Sequence, residues 1–312
     1  MTQAEPRPLV SVLVITYNHE RYLGQALDSA LGQATGFPVE VVVGEDGSTD
    51  GTRAVLEAYR SAHPGRVRAL VRERNLGMLP NFVDTFRACT GRYVALLEGD
   101  DYWTDPGKLQ LQVDLLEGDP TLSSTFHNVE VVHEGGERPN HLFHRRPLKP
   151  RFSLRDVVGE FFVPTCSTVF RSGLWAFPEW FVTMPMGDWP LHVLNAEHGE
   201  LGYVDRVMGA YRVHGGGVWT GARRERTLER TLEAVAVVDR HLDYRFAKEL
   251  GRLAAGTEHK LARTLLKDGK PRDALRHARR AWRGAPLRPR YLRDLLRAAW
   301  SCAWSEPAGK GA

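Results

Sequence analysis

Short, nearly unbroken runs of β-branched and apolar residues alternate with amphipathic stretches over the first hundred positions of the chain. Residues 10–15 read Val-Ser-Val-Leu-Val-Ile, the pattern of a strand covered on both faces in a parallel sheet. Three more runs of strand length follow at 39–43, 67–71 and 93–97, each separated from the last by a helical-looking segment. This βαβαβαβ rhythm predicts a doubly wound sheet with helices on both sides, whose ligands bind beyond the carboxyl ends of the strands. After residue 103 the pattern is mixed: a helix over 106–117, strands over 123–132 and 165–170, a helix from 188 and a last strand pair over 201–213. From 222 onward the text is helical, with breaks at 244–247, 268–271 and 284–289. Residues 261–286 read as one helical hairpin, with Ala274, Ala278 and Ala281 at close-packing spacings.

Composition narrows the picture. With 312 residues, 42% of them hydrophobic, the chain can bury a sizeable core and carry an appendage besides. No apolar run reaches the roughly 18 residues of a membrane span, and the first seven residues do not read as a secretory signal, so a cytoplasmic protein is expected. Cys89, Cys166 and Cys302 are odd in number and widely spaced, which argues against a disulfide framework or structural zinc and for reduced packing residues. The net charge of +4 is uneven. From Arg223 onward 22 Lys and Arg face 11 Asp and Glu, a surplus of 11 that leaves the first 222 residues at −7. An acidic part suits metal ions and a basic part suits anionic surfaces.

The polar residues fall where a doubly wound sheet would gather them. Thr16-Tyr17-Asn18 follows the first predicted strand, and Glu45-Asp46-Gly47-Ser48-Thr49-Asp50 the second. Arg74-Asn75-Leu76-Gly77 follows the third, and Glu98-Gly99-Asp100-Asp101-Tyr102-Trp103 the fourth. Adjacent carboxylates repel, so Glu98, Asp100 and Asp101 together favour a hard divalent cation such as magnesium or manganese; the alternative is a turn or a cap on the next helix. The 45–50 segment is either a turn with a helix cap, or a base pocket in which Asp46 accepts from a base imide while the Tyr17 ring stacks.

As an ordered set these segments resemble glycosyltransferase family 2. The resemblance rests on Val-Ile-Thr-Tyr-Asn at 14–18, Glu-Asp-Gly-Ser-Thr-Asp-Gly-Thr at 45–52, Asn-Leu-Gly at 75–77 and Glu-Gly-Asp-Asp-Tyr-Trp at 98–103. It continues through Met-Gly-Asp-Trp-Pro-Leu at 186–191 and Tyr-Arg-Val-His-Gly-Gly-Gly at 211–217, covering roughly residues 9–219. It implies the GT-A fold, a Rossmann-like, mixed, mostly parallel sheet flanked by helices, over residues 1–221, with a basic helical C-terminal extension over 222–312. It also implies an inverting, non-processive hexosyltransferase that takes one sugar from a nucleoside-diphosphate sugar, UDP first and dTDP second, with Mn2+ or Mg2+. The QxxRW motif of processive synthases is absent from the sequence.

Carried over by position, Tyr17 stacks on the base, Asp46 bonds its imide edge, and Thr16, Asn18, Asn75, Gly77 and Gly99 line the nucleotide site. Asp100 holds the metal, and Glu98, longer than the usual Asp, reaches a ribose hydroxyl or a metal-bound water. Asp188 is either the general base, a helix N-cap, or both. His214, before three glycines, completes the metal shell or touches the diphosphate, or is an ordinary packing histidine; Arg212 neutralises phosphate. The acceptor is a glycan, a lipid-linked sugar or a small molecule, approached by Phe126, His127, Trp175, Trp180 and Phe181 or merely packed around by them. The basic tail is a peripheral membrane contact, a homodimer element or a solvated face, and nucleic acid is not expected. An inactive scaffold that only binds nucleotide sugars or a protein is the other reading, against which Asp100 and Asp188 both stand.

Overall fold

The computed structural model describes residues 7–136, 138–216 and 223–304. The chain opens with β1 (Val10–Thr16), α1 (Leu23–Leu31), β2 (Val39–Glu45), α2 (Thr52–Ala62), β3 (Val67–Val71), α3 (Met78–Ala88) and β4 (Tyr93–Glu98). The predicted alternation is present, and the apolar runs of β1, β2 and β4 are buried because helices cover the sheet. Next come β5 (Tyr102–Trp103), α4 (Lys108–Gly118), β6 (Leu122–His133), β7 (His141–Leu142), β8 (Arg151–Phe152) and α5 (Leu154–Gly159). Then β9 (Val169–Arg171), α6 (Asp188–Ala196) and β10 (Glu200–Val213) precede four helices: α7 (Arg224–His241), α8 (Ala247–Lys267), α9 (Pro271–Gly284) and α10 (Pro289–Trp304).

The strands form one mixed sheet in the order β3-β2-β1-β4-β9-β6-β10-β5. β1, β2, β3 and β4 pair in parallel, as do the long strands β6 and β10; the short β5 and β9 pair antiparallel. β1 lies between β2 and β4, so the chain leaves adjacent strands in opposite directions there and opens a crevice at their carboxyl ends.

Two expectations need correction. The strand predicted over 165–170 is a single 3-10 turn at Thr165–Ser167, set up by Pro164, followed by the three-residue β9. The strand pair predicted over 201–213 is one continuous strand whose register against β6 shifts between Val204 and Val207 and again before Gly209. Asp205 and Arg206 form this bulge, where Arg206 pairs with Asp105 at 2.8 Å.

The described residues divide into two compact units, one built on the sheet and ending at Gly215, the other holding α7 to α10. The boundary read at 221/222 and Gly217, the last residue of the His-Gly-Gly-Gly motif, lie outside the described residues. In the helical unit the first break falls where Asp243 and Tyr244 take positive φ. The hairpin is α8 against α9, with Ala274 and Ala278 packed on Leu261, Ala262 and Leu265. Ala281 is buried with Ala255 and Tyr291. Among the described residues no helix is long and apolar enough to cross a membrane, and no disulfide joins the cysteines.

Candidate active site

The segments after β1, β2, β3 and β4 meet at the crevice. After β1, the Asn18 backbone takes φ 56°, its N–H donates to Ser48 Oγ at 3.0 Å, and its Oδ1 accepts the Thr49 N–H at 2.8 Å. Asn18 therefore ties the first loop to the second. Asp50 accepts the N–H and hydroxyl of Thr52, but the N-cap position of α2 is Gly51, so none of residues 48–50 is the cap. Tyr17 leaves its ring 41% exposed, available for stacking.

Asp46 is placed differently from a free carboxylate facing a base. It is buried, and its two oxygens accept the backbone N–H groups of Leu76 at 2.7 Å and Gly77 at 3.0 Å. Burial raises its pKa, and the two backbone donors work against that rise. Asp46 thus pins the Asn75–Gly77 loop beside the second loop, while the Asn75 side chain stays exposed. Gly47 permits the approach: it has φ 73°, and a Cβ there would lie 2.5 Å from the Arg74 carbonyl carbon. Gly47→Ala is expected to lower stability by about 1–3 kcal/mol, from backbone strain and the clash together. Chemical denaturation compared with wild type measures this.

At the end of β4 the chain turns through four acidic or small residues, and the structure sorts their carboxyls into two groups. Asp100 Oδ2 lies 2.9 Å from His214 Nε2 and 3.7 Å from His19 Nε2. Ligand atoms of His19, Asp100 and His214 all lie within 4.8 Å of one another. Glu98, by contrast, groups with Asp101 and Cys166. It does not join the histidine pair that Asp100 meets.

Electrostatics follows this division. Burial pushes Glu98 up to about 8, with the charges of Asp100 and Asp188 adding to it. Burial raises Asp101 well above the ordinary value, again helped by Asp100 and Glu98. For Asp100 burial works in the same direction, but the His214 hydrogen bond and the His19 ring outweigh it and hold its pKa below the ordinary value. Burial lowers His19 more than Asp100 raises it. The turn is therefore not three equivalent anions: the proton affinities of Glu98 and Asp101 are raised and those of Asp100 and His19 lowered. Two imidazole nitrogens and a carboxylate oxygen, gathered within 4.8 Å of one another, fit a divalent cation.

Thr16 is buried with its hydroxyl unpartnered, and it packs against Gly99, where a Cβ would lie 2.7 Å from Thr16 Oγ1 and 2.9 Å from His19 Nδ1. Arg212, expected as a phosphate cation, is hydrogen-bonded to the protein. Its Nε donates to the Asp100 carbonyl at 2.7 Å, one terminal nitrogen to Gln25 at 2.7 Å and the other to Glu134 at 3.2 Å. Its backbone N–H donates to Asp101 at 2.8 Å. Arg212 braces the acidic turn from β10.

Asp188 opens α6 directly after Gly187, against which Leu79 of α3 packs closely enough that a Cβ would meet it at 2.3 Å. Burial raises its pKa, with the Trp189 N–H opposing, and its Oδ1 is buried without a partner. Its charge adds to the rise of the Glu98 pKa at the end of β4. A carboxylate with raised proton affinity and an unused oxygen can take a proton.

His19 is the site residue that the sequence reading missed. It follows Asn18 in the same loop, so its position after β1 was the available signal. The aromatics read as acceptor contacts mostly pack: Phe126 lies among Phe152, Phe162 and Tyr203, and Trp175 stacks on Phe86.

The sequence model described as Glycosyl transferase family 2 matches residues 11–177. An uncharacterized protein of Mycobacterium tuberculosis is 38% identical over 220 residues, which are 70% of this chain and 62% of that protein. The chain thus spans less than two thirds of that relative. Among solved structures, S. aureus TarS 1-349 in complex with UDP-GlcNAc is similar with a TM-score of 0.64 at 19% identity, over 96% of this chain and 93% of that 1-349 chain. A mannosyltransferase from Pyrobaculum calidifontis, in complex with GDP-Man and Mn2+, is similar with a TM-score of 0.61 at 20% identity, over 97% of this chain and 82% of its own. These likenesses concern the fold, a GT-A arrangement of sheet and helices. With the family match spanning more than half of its length, the chain belongs to glycosyltransferase family 2.

Proposed function

We propose that this glycosyltransferase moves one sugar from a nucleoside-diphosphate sugar to an acceptor hydroxyl, inverting the anomeric carbon, with Asp188 as general base and a divalent cation held by Asp100, His214 and His19. The gathering of those three ligand groups at the crevice, with the charge of Asp188 acting on Glu98 at the end of β4, carries the reading. The bound donors of TarS and the mannosyltransferase support a nucleotide-sugar donor, with UDP favoured and dTDP second. When bound, a cation here would offset the negative charge that grows on the leaving diphosphate. Two imidazoles suit manganese better than magnesium, which prefers an all-oxygen shell.

The chain's own residues do the rest. Tyr17 offers its ring to the base, and Asp46 can accept an imide hydrogen on a second lone pair while still pinning the Leu76–Gly77 backbone. Asn75, Gly77, Asn18, Thr16 and Gly99 line the nucleotide. Glu98 carries a proton near neutral pH, so it can donate a hydrogen bond to a ribose oxygen. Asp188 Oδ1 takes the proton of the acceptor hydroxyl as that oxygen bonds the anomeric carbon and the carbon–phosphate-oxygen bond breaks. One base and no protein nucleophile give inversion. The acceptor is an alcohol of a glycan, a lipid-linked sugar or a small molecule.

Thermal unfolding with UDP, dTDP, GDP and CDP, each with and without manganese, tests the binding half of this reading. A ligand at about a hundredfold excess over Kd stabilises the folded state by about 2.7 kcal/mol. One diphosphate should raise the midpoint clearly, and only with the metal. No response to any of the four would count against the site.

A further inference from the structure

We propose that the helical unit α7–α10 docks on an anionic phospholipid surface, through a basic groove and the apolar outer stripe of its last helix. This inference stands independently of the donor and the base. The groove, about 690 Å³, lies between the N-terminus of α7, the outer side of α8 and the α8–α9 turn. Arg223, Arg224, Lys260, Arg263, Lys267 and Lys270 line it, against Glu225 and Asp268. Lys270 pairs with Glu225 at 2.7 Å and Arg263 approaches Asp294 at 3.8 Å. Arg223, Arg224, Lys260 and Lys267 are exposed and make no ion pair among the described residues. Uncompensated cations held around one concavity repel each other, and an anionic partner relieves that repulsion.

The second observation is α10 itself. It buries Tyr291, Asp294 and Ala298 on one side, yet the opposite side is not polar. Leu292, Leu296 and Trp300, spaced one turn apart, are 43%, 62% and 65% exposed. Arg290, Arg293 and Arg297 run along one edge of this stripe, all exposed. A surface helix ordinarily turns a polar face outward. An apolar ridge with basic residues along its edge is instead the composition of a helix lying in a lipid headgroup layer.

The two features adjoin. His259 of the groove wall packs on Tyr291 with ring centroids 4.5 Å apart, and Asp294 lies between Arg263 of α8 and Arg293 of α10. Groove and helix edge therefore form one basic surface with the apolar ridge alongside. A second copy paired through this same surface would set it against its own charge, since the sequence from Arg223 carries a surplus of 11 cations. An anionic bilayer complements both the charge and the ridge.

Sedimentation of the full chain with vesicles tests the proposal. Binding is expected to vesicles of equal parts phosphatidylcholine and phosphatidylglycerol, and not to phosphatidylcholine alone. Lys260→Glu with Lys267→Glu should weaken that binding about tenfold or more, and raised salt should weaken wild-type binding likewise. Leu296→Glu with Trp300→Glu should weaken it comparably; these are exposed positions, and circular dichroism checks that the helices persist. Equal binding to both vesicle types, indifference to salt, or no binding at all would overturn the proposal. So would a dimer in light scattering that Leu296→Glu with Trp300→Glu dissolves, in a wild type that ignores vesicles.

Discussion

Asp188→Asn is expected to lower sugar transfer by about 10²- to 10⁴-fold, the range that a positioned general base contributes. Asparagine matches aspartate in size, keeps an oxygen facing the Trp189 N–H, and can begin a helix equally well. It cannot accept a proton. Nucleotide binding should therefore persist, which separates this variant from one that has lost its pocket. Stability gives an independent readout. Burial raises the Asp188 pKa in the folded protein, so ionising it opposes folding. That contribution is absent below the unfolded pKa and grows as pH rises toward the folded one. Asp188→Asn should thus equal or exceed wild type in stability at neutral pH while nearly inactive. Near-full transfer by the variant would remove Asp188 from the base role and leave it a helix-opening residue.

Asp100→Asn should have the opposite signature, with the metal-dependent part of nucleotide binding lost along with turnover. Asp100 is the one carboxyl of the turn whose pKa is held down, and it faces both histidines. Outer-shell partners of metal ligands are worth about 10- to 100-fold in affinity; removing the only anionic ligand of the three should cost at least the upper end of that range. Titration of manganese into each variant in the presence of the preferred diphosphate measures it. Here the pH sign reverses. A depressed carboxyl pKa stabilises the fold above its unfolded value and loses that stabilisation as pH falls through the folded pKa. The variant should be less acid-sensitive than wild type over that range. An unchanged manganese response in Asp100→Asn would mean that the histidine cluster is not where the ion binds.

The convergence of the candidate site's segments was legible in the sequence because a doubly wound sheet delivers them just after the strands. The four strand runs are strongly apolar and β-branched, so β1 to β4 fell at the expected places, and the segments after them converge as the topology requires. The less legible features depend on packing across the fold. His19 reaches Asp100 only because β1 and β4 are neighbours. Two adjacent acidic residues look alike as letters, yet the histidines hold the Asp100 pKa below the ordinary value while burial raises that of Asp101 well above it. The sequence gives no hint that β10 carries Arg212 against the turn, where its guanidinium bonds the Asp100 carbonyl, Gln25 and Glu134. β10 itself misled as a strand pair because a bulge and a turn share the same polar residues. Lys108 is fully buried with its ammonium nitrogen 3.9 Å from the Trp103 ring centre, which burial answers by lowering its pKa far below the ordinary value. A lysine near the start of an amphipathic helix gives no hint of that.

Release of nucleoside diphosphate from a panel of nucleotide sugars, followed with manganese and with a chelator for wild type and Asp188→Asn, tests the central claim most directly. The expected result is diphosphate release from one donor by wild type, abolished by the chelator and nearly abolished in the variant. Release of nucleoside monophosphate, or turnover indifferent to both the chelator and the substitution, would contradict it.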